Sequence, residues 1–542
     1  MRPQPLAEGA TLLDSSIYEQ ARQTRDARYD GRFFVGVVTT GIYCRPVCPV
    51  RVPKQENVRL YRSAASAASA GFRPCLRCRP ESSPGTPAWS SGSWKVTRAL
   101  ELIERGFLDE ATLAALAAQL AIGERQLGRL FQEHVGAAPS EVAQTRRLHF
   151  AKKLIDETAL PLTEVCFAAG FGSVRRFNAV VKDTYNKSPR ELRLASSRSA
   201  LSASRSDSSA NSVTNSVNTA GQRSAGLPIT LKLSYRPPFD WRALLAFLAY
   251  RAIPGVESVG EQSYARSFRL FAETESVQLA RDYQHEPVAR GHFIAHFCPA
   301  SPFVTLTVWI DNTAALQRVV ERVRAIFDLR ADSAAIDAAL AKDPQLAPLV
   351  SAFAGTRVPG CWSGFEVAVR AILGQQVTVK AASTLVARVA QRHGTSYDCD
   401  TPGIDYFFPE PATLARASLD GLGIVQARIQ AITEVAQRVV SGSIKLTPSA
   451  SLTDFVKSFC EIKGIGEWTA HYVAMRALSD PNAFPHSDLI LLRAAAGEGA
   501  ALKPKQLLQR AAAWQPWRAY TVLLLWRSYA DKQNRTPTAL KK

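Results

Sequence analysis

The chain has 542 residues, 46% of them hydrophobic, and a formal net charge of +19 from 66 Lys and Arg against 47 Asp and Glu. Such a length exceeds one hydrophobic core, so a multidomain protein of three or four domains is expected. No run of 18 apolar residues is present and the opening M-R-P-Q-P-L-A-E-G lacks a signal-peptide core, which excludes a helical membrane protein and points to the cytoplasm.

Basic residues exceed acidic ones on both sides of residue 227, by 31 to 20 before it and by 35 to 27 from there on. A polyanionic partner is therefore expected of both halves, although a basic surface also serves solubility alone. Nine cysteines in so long a chain do not make a disulfide framework, and a closely spaced set among them suits a metal.

From Asp26 to Glu81 short β-type runs (F-F-V-G-V-V, N-V-R-L-Y) alternate with turns, and Cys44, Cys48, Cys75 and Cys78 are placed at the turns. Their spacing, C-x3-C and C-x2-C separated by 26 residues, suits four thiolate ligands of one tetrahedral zinc ion. Spacing alone favours a structural knot over a reactive one. Arg45, Arg51 and Arg73, with Arg77 and Arg79, crowd these ligands and suit the surface to phosphate. The stretch D-A-R-Y-D-G-R-F-F-V-G-V-V-T-T-G-I-Y-C-R-P-V-C through G-F-R-P-C-L-R-C resembles the N-terminal domain of the Ada family, and residues 1–90 are assigned to it. That resemblance implies irreversible transfer of a methyl group from a DNA methylphosphotriester to the first cysteine of the set, Cys44. Zinc keeps such sulfurs as thiolates, and methylating one removes a negative charge that repels phosphate, so the event would switch on DNA binding. The remaining cysteines, Cys166, Cys298, Cys361, Cys399 and Cys460, read as small core residues.

Residues 91–195 are helical and carry an internal repeat, with Pro139 and Pro189 closing two helix-turn-helix units 50 residues apart. The units are joined by a helix near Glu141 to Glu157, and the second turns at Gly170. G-F-G-S-V-R-R-F in the second unit resembles the G-F-x-S-x-x-x-F of AraC-family DNA-binding domains. Recognition helices would start near Glu124 and Ser173, and Gln126, Arg129, Arg175, Arg176 and Asn178 could reach base edges or phosphates; a solvated helix face is the alternative for each. Residues 196–226, Ser- and Asn-rich, read as a flexible linker.

Strand-like I-T-L-K-L-S-Y and F-V-T-L-T-V-W-I and an amphipathic helix near Ala314 to Leu329 predict an α+β domain over 227–340, followed by helices over 341–532. In I-K-G-I-G-E-W-T-A-H-Y, Gly464 and Gly466 form a tight turn before a helix starting at Glu467, with backbone N–H groups free to face a phosphate. Asp488 follows 22 residues later in F-P-H-S-D-L-I-L-L-R, the order found in helix-hairpin-helix glycosylases. Over about 300 residues, including R-A-I-L-G-Q-Q-V and W-Q-P-W-R-A-Y-T-V-L-L-L-W, the chain resembles DNA-3-methyladenine glycosylase II, the AlkA family. The family class is thus a small α+β zinc domain, an all-α tandem helix-turn-helix domain, an α+β domain and an all-α helix-hairpin-helix glycosylase domain.

The resemblance implies a monofunctional glycosylase acting on alkylated purines in double-stranded DNA. Trp468 stands where relatives with β-lyase activity carry a Schiff-base Lys, and no cysteine follows Cys460 to hold an iron-sulfur cluster. A base such as 3-methyladenine is cationic, so the enzyme must flip it, hold it and stabilise positive charge on the sugar. Trp468 and Tyr472, with Trp526 and Phe247 added by the resemblance, would form the base pocket, and Asp488 would stabilise the oxocarbenium-like centre or orient water. Gln376 stands where a relative has a Leu wedge. The P-C-H-R string of O6-methylguanine methyltransferases is absent, so that repair is not expected. Two accounts result: a sensor, transcription activator with RNA polymerase as partner, and repair enzyme in one chain; or a zinc-containing AraC-type regulator with a non-catalytic glycosylase fold.

Overall fold

A computed structural model describes residues 16–84, 93–204, 227–271, 287–299, 301–447, 451–497 and 499–535. The chain divides into two compact units, one of Met1–Ser234 with Ala289–Phe293 and Phe303–Glu321, the other of Tyr235–Val288, Ile294–Pro302 and Arg322–Lys542.

The first unit opens with α1 (Ser16–Thr24), β1 (Phe34–Val37), β2 (Ile42–Cys44), β3 (Val58–Tyr61), α2 (Ala64–Ser69) and β4 (Arg73–Pro74). The strands form one sheet in the order β3-β1-β2-β4, with β4 parallel to β2. Alternation along β1 sends successive side chains to opposite faces. Val35, paired with Cys44, joins Ala21, Phe33, Val58 and the four cysteines on one face, while Phe34 packs with Tyr43 and Tyr61 on the other. Cys44 is the last residue of β2 rather than part of a turn.

The helical region follows as α3 (Trp94–Glu104), α4 (Phe107–Glu110), α5 (Leu113–Gln119), α6 (Glu124–His134), α7 (Pro139–Glu157), α8 (Leu162–Ala168), α9 (Val174–Tyr185) and α10 (Pro189–Ser204). The repeat is visible in the register: α6 and α9 start 50 residues apart, as do α7 and α10, each of the latter pair with Pro at its first position. Leu127 and Phe131 on α6 and Phe177 and Val181 on α9 are the buried, helix-spaced counterparts. Gly170 turns the second unit with φ +84°, and a Cβ there would meet the Asp109 carboxylate at 2.4 Å, so both conformation and space require glycine. Helix α10 runs on to Ser204, into the stretch expected to be linker; its Pro189 start and the Glu191 carboxylate accepting the Ser188 N–H at 2.6 Å supply a strong N-terminus that the small residues after it do not stop. The rest of the expected linker lies outside the described residues.

Then come β5 (Ile229–Ser234), α11 (Trp241–Ala249), β6 (Glu257–Val259), β7 (Ser263–Leu270), β8 (Ala289–Phe297), β9 (Phe303–Ile310) and α12 (Leu316–Ile326). The five strands are ordered β5-β9-β8-β7-β6. The alternating I-T-L-K-L-S buries Ile229, Leu231 and Leu233 and pairs antiparallel with β9, Ile229 opposite Val308.

The remainder is helical: α13 (Ser333–Leu340), α14 (Ala347–Ala352), α15 (Gly364–Leu373), α16 (Val379–His393), α17 (Pro411–Leu414), α18 (Gln426–Val440), α19 (Leu452–Cys460), α20 (Glu467–Ala477), α21 (Leu489–Ala496), α22 (Pro504–Arg510) and α23 (Arg518–Arg535), with a two-residue ladder of β10 (Thr395–Ser396) and β11 (Tyr406–Phe407). Helices α15 and α20 are buried on nearly every side and form the centre of this core. Of the five cysteines expected in cores, Cys166 is buried and Cys298, Cys361, Cys399 and Cys460 are half-buried.

Candidate functional site

Two clusters carry chemistry. In the first unit the sulfurs of Cys44, Cys48, Cys75 and Cys78 all lie within 4.8 Å of one another, and all four residues are buried. Four sulfurs about 2.3 Å from a zinc ion would be separated by about 3.8 Å, so the donor set fits tetrahedral zinc in number, type and spacing. The Arg45 backbone N–H donates to Cys78 Sγ at 3.4 Å, a hydrogen bond that tempers negative charge on that sulfur.

The arginines expected around this centre divide. Arg51, Arg73 and Arg77 are exposed. Arg45 is not free to meet phosphate: its Nε donates to Asp30 at 2.9 Å, its Nη2 also pairs with Asp30, and its Nη1 donates to the Cys78 carbonyl at 3.1 Å. Asp30 is almost fully buried and needs a counter-charge, which overrides exposure of the guanidinium. Arg79 likewise pairs with Glu81, Asp156 and Glu157. Helices α6 and α9 leave Gln126, Arg129, Arg175, Arg176 and Asn178 exposed, with Ser173 capping α9 through the Arg176 N–H at 3.3 Å.

The second cluster is built on α20. Helix α19 ends, Gly464 adopts φ +90°, and α20 begins immediately after Gly466, leaving the first turn's N–H groups open on a surface where Gly464 and Gly466 are both exposed. Four-residue spacing along α20 places Trp468, Tyr472 and Arg476 on one stripe. The rings of Trp468 and Tyr472 stack nearly parallel, centroids 5.3 Å apart and 5° between planes. No flat ring fits between them, so a ligand could meet only the outer faces of the stack. Trp526 of α23 stands 6.5 Å from Tyr472, and half-buried Phe247 of α11 lies beneath two guanidiniums, Arg251 at 3.8 Å and Arg476 at 5.2 Å from the ring centre.

Asp488 caps α21: its Oδ1 accepts the Leu491 N–H at 2.9 Å. The same carboxylate takes an indole N–H from each side, Trp468 Nε1 to Oδ2 at 2.9 Å and Trp526 Nε1 to Oδ1 at 3.2 Å. Three donors on one carboxylate fix its plane. Gln376 sits exposed in the turn between α15 and α16 with φ +55°, a conformation unusual outside glycine. Next to it, Gln375 Nε2 donates to the Gly464 carbonyl at 2.9 Å and to Thr469 Oγ1 at 3.2 Å, joining this turn to the hairpin.

The model of the metal binding domain of Ada matches residues 18–81, that of a helix-turn-helix domain residues 116–195, and that of the AlkA N-terminal domain residues 230–363. A probable bifunctional transcriptional activator/DNA repair enzyme AlkA from Mycobacterium tuberculosis is 37% identical over 518 residues, 96% of this chain and 97% of its own. The chain belongs to this bifunctional AlkA family. Its composite nature appears in relatives that match one half. DNA-3-methyladenine glycosylase 2 of Escherichia coli is 32% identical over 298 residues, 54% of this chain and 95% of its own. AdaA of Bacillus subtilis, a bifunctional transcriptional activator/DNA repair enzyme, is 32% identical over 174 residues, 32% of this chain and 80% of its own.

Within this bifunctional AlkA chain, sequence reading missed the polar layer behind the aromatic stripe. Arg476 donates to Tyr472 Oη at 3.2 Å and to the carbonyls of Pro359 and Gly360 at 3.0 and 2.7 Å. Burial opposes ionisation of Tyr472, but the guanidiniums of Arg476 and Arg251 outweigh it and bring the phenol down to about 8. A signal was available: Phe247 on α11 and Arg251 just past its C-terminus, like Tyr472 and Arg476 on α20, share a four-residue spacing. Among the described residues no helix is long and apolar enough to cross a membrane.

Proposed function

We propose that this protein senses DNA alkylation at Cys44 and excises alkylated purines at Asp488, acting in the cytoplasm as a transcription activator and as a monofunctional DNA glycosylase. The observation that carries the enzymatic half is the carboxylate of Asp488 held by two indole N–H groups inside an aromatic cluster. A merely structural N-cap needs only the Leu491 N–H; two tryptophans aimed at the same group orient it for another purpose.

The alkylated nucleotide leaves the duplex, with Gln376 filling the gap and the N–H groups after Gly464 and Gly466 holding the phosphate backbone. The base rests on the outer face of the Trp468 and Tyr472 stack, with Trp526 and Phe247 completing the pocket. As the N-glycosidic bond breaks, its electron pair neutralises the departing base and positive charge moves to the sugar. Asp488 stabilises that charge electrostatically, and water then adds to the anomeric carbon. With both oxygens engaged by donors, the carboxylate is held in one orientation, which suits electrostatic stabilisation of the sugar.

At the four-cysteine centre, bound zinc would hold the sulfurs as thiolates at neutral pH. The Cys44 sulfur forms a bond to the methyl carbon of a methylphosphotriester, the carbon–oxygen bond breaks, and a phosphodiester anion leaves. Exposed Arg51 and Arg73 attract the DNA backbone, while Gln126, Arg129, Arg175 and Arg176 engage promoter DNA and the activated protein recruits RNA polymerase. Asp488→Asn tests the excision site and mass spectrometry after exposure to methylphosphotriester DNA tests Cys44; unchanged base release, or a methyl group on another cysteine, would overturn the respective half.

A further inference from the structure

Behind the aromatic stripe four guanidiniums, Arg251, Arg266, Arg370 and Arg476, surround a cavity of about 20 Å³, room for about one water, with two carboxylates, Glu257 and Glu366. Those carboxylates are already committed. Arg266 pairs with Glu366 at 2.7 Å and Glu257 at 3.3 Å, and Arg370 reaches Glu257 at 3.5 Å. Arg251 and Arg476 have no carboxylate partner among the described residues; carbonyl groups, the Phe247 ring and Tyr472 are what they meet. Guanidinium does not give up its proton in proteins, so two uncompensated positive charges stand behind a pocket proposed to receive a cationic base. Such an arrangement would repel its own substrate.

We infer that Tyr472 is the counter-ion of Arg251 and Arg476, its phenol giving up a proton so that a phenolate, not a neutral ring, faces the cationic base. This deepens the proposed function and rests on its assignment of the base pocket. Every element packed against Tyr472 is consistent with the assignment. On α20 its neighbours are Trp468 and the donor Arg476; the turn after α11 brings Arg251, and α15 brings Arg370. The two carboxylates lining the cavity, Glu257 and Glu366, are bound to Arg266 and Arg370, and Asp488 is engaged by the indoles of Trp468 and Trp526. The two other candidates for a counter-ion fail. Tyr264 is the donor to Glu257, and burial together with that carboxylate raises its pKa well above the usual value. Burial likewise pushes the Cys361 thiol up to about 11. Tyr264 also accepts from Arg266 at 3.4 Å, but Tyr472 differs in donating to no carboxylate among the described residues.

The phenolate acts on binding more than on bond cleavage, because the base loses its positive charge as the glycosidic bond breaks. Selectivity for cationic over neutral lesions should therefore rise with pH as Tyr472 ionises.

The test is a tyrosine titration of the full-length zinc-loaded protein by absorbance near 295 nm. One of the 14 tyrosines is expected to ionise near pH 8, in a step missing from Tyr472→Phe. Arg251→Met, which keeps the packing and removes one cation, should move that step upward by about one unit or more. Superimposable titrations of wild type and Tyr472→Phe, or an unmoved step in Arg251→Met, would overturn the assignment; the former is the result expected if a small inorganic anion neutralises the arginines. Preference for 3-methyladenine over the neutral 1,N6-ethenoadenine should rise several-fold from pH 7 to pH 9 in the wild type and stay flat in Tyr472→Phe, and a flat wild type would sink the consequence for selectivity. The titration needs no substrate, so it stands or falls independently of the excision site: Asp488→Asn is expected to show the same step.

Discussion

Trp468 Nε1 donates to Asp488 Oδ2 at 2.9 Å, a hydrogen bond across 20 residues of sequence that ties the helix after the hairpin to the helix that carries the carboxylate. The pair explains why an aromatic of this kind, rather than a Lys, stands at position 468: an indole offers a stacking face for Tyr472 and one donor for Asp488.

Replacing Trp468 by Phe keeps the ring and deletes the donor. A hydrogen bond to a charged group contributes about 1.5–3 kcal/mol, so single-turnover release of 3-methyladenine should fall roughly 10- to 100-fold, with DNA binding little changed. Trp526→Phe should cost less, because Oδ1 keeps the Leu491 N–H. Equal losses in binding and in rate would show that packing, not orientation of Asp488, is what Trp468 supplies.

Gln376 holds φ +55° in an exposed turn, where a side chain costs about 1–2 kcal/mol of backbone strain relative to Gly. Gln376→Gly should therefore keep or raise thermal stability while lowering excision from a fully paired duplex. The deficit should shrink when the lesion sits opposite a mismatch, since less unstacking is needed there. An equal deficit on both substrates would remove Gln376 from the role of wedge.

His471 Nδ1 accepts the Phe484 N–H at 3.3 Å on the segment leading to Asp488. Burial, with His486 and Arg518 nearby, lowers its pKa to about 4. The unfolded chain, with a value near 6.5, takes up the proton first as pH falls. The stability His471 contributes is thus whole above about pH 6.5 and is lost toward pH 4, on the order of 3 kcal/mol in all. Melting temperatures at pH 7 and pH 5 should differ more for the wild type than for His471→Asn, which stays neutral and keeps an acceptor; parallel curves would contradict this.

Half of the eight buried residues in the core on one face of the N-terminal sheet are the four cysteines. Stripping zinc from the reduced protein should therefore melt residues 16–84, seen as loss of their amide protection in hydrogen exchange. Excision of 3-methyladenine should survive this treatment within about twofold, since no residue of that site draws on the sulfurs. Intact protection without metal would mean that the cysteines pack as ordinary apolar side chains.

Most of the architecture was legible from periodicity and punctuation. The 50-residue spacing of Pro139 and Pro189 marked equivalent helices, and Glu467 was read as the first residue of α20 from Gly464 and Gly466 alone. Short-range spacing also placed the cysteines and the Trp468 and Tyr472 stripe. What escaped was any relation set by tertiary contact. Arg45 carries the same local charge as Arg51, and only the fold places buried Asp30 beside it. The guanidinium layer joins residues 251, 266, 370 and 476; four-residue spacing ties Arg251 to Phe247 and Arg476 to Tyr472, but no local pattern brings the four arginines to one cavity. The stacking of Trp468 on Tyr472 was likewise invisible, because a shared helix face fixes proximity but not ring orientation.

The central claim, one chain that senses once and repairs repeatedly, is tested most directly by treating wild type and Asp488→Asn with the same methylated DNA and reading both products from one preparation. Asparagine keeps the cap on α21 but removes the negative charge. Base release should fall at least about 100-fold in the variant, while each protein gains a single methyl group on Cys44. Undiminished release by Asp488→Asn, or an unmodified Cys44 in both, would contradict the account.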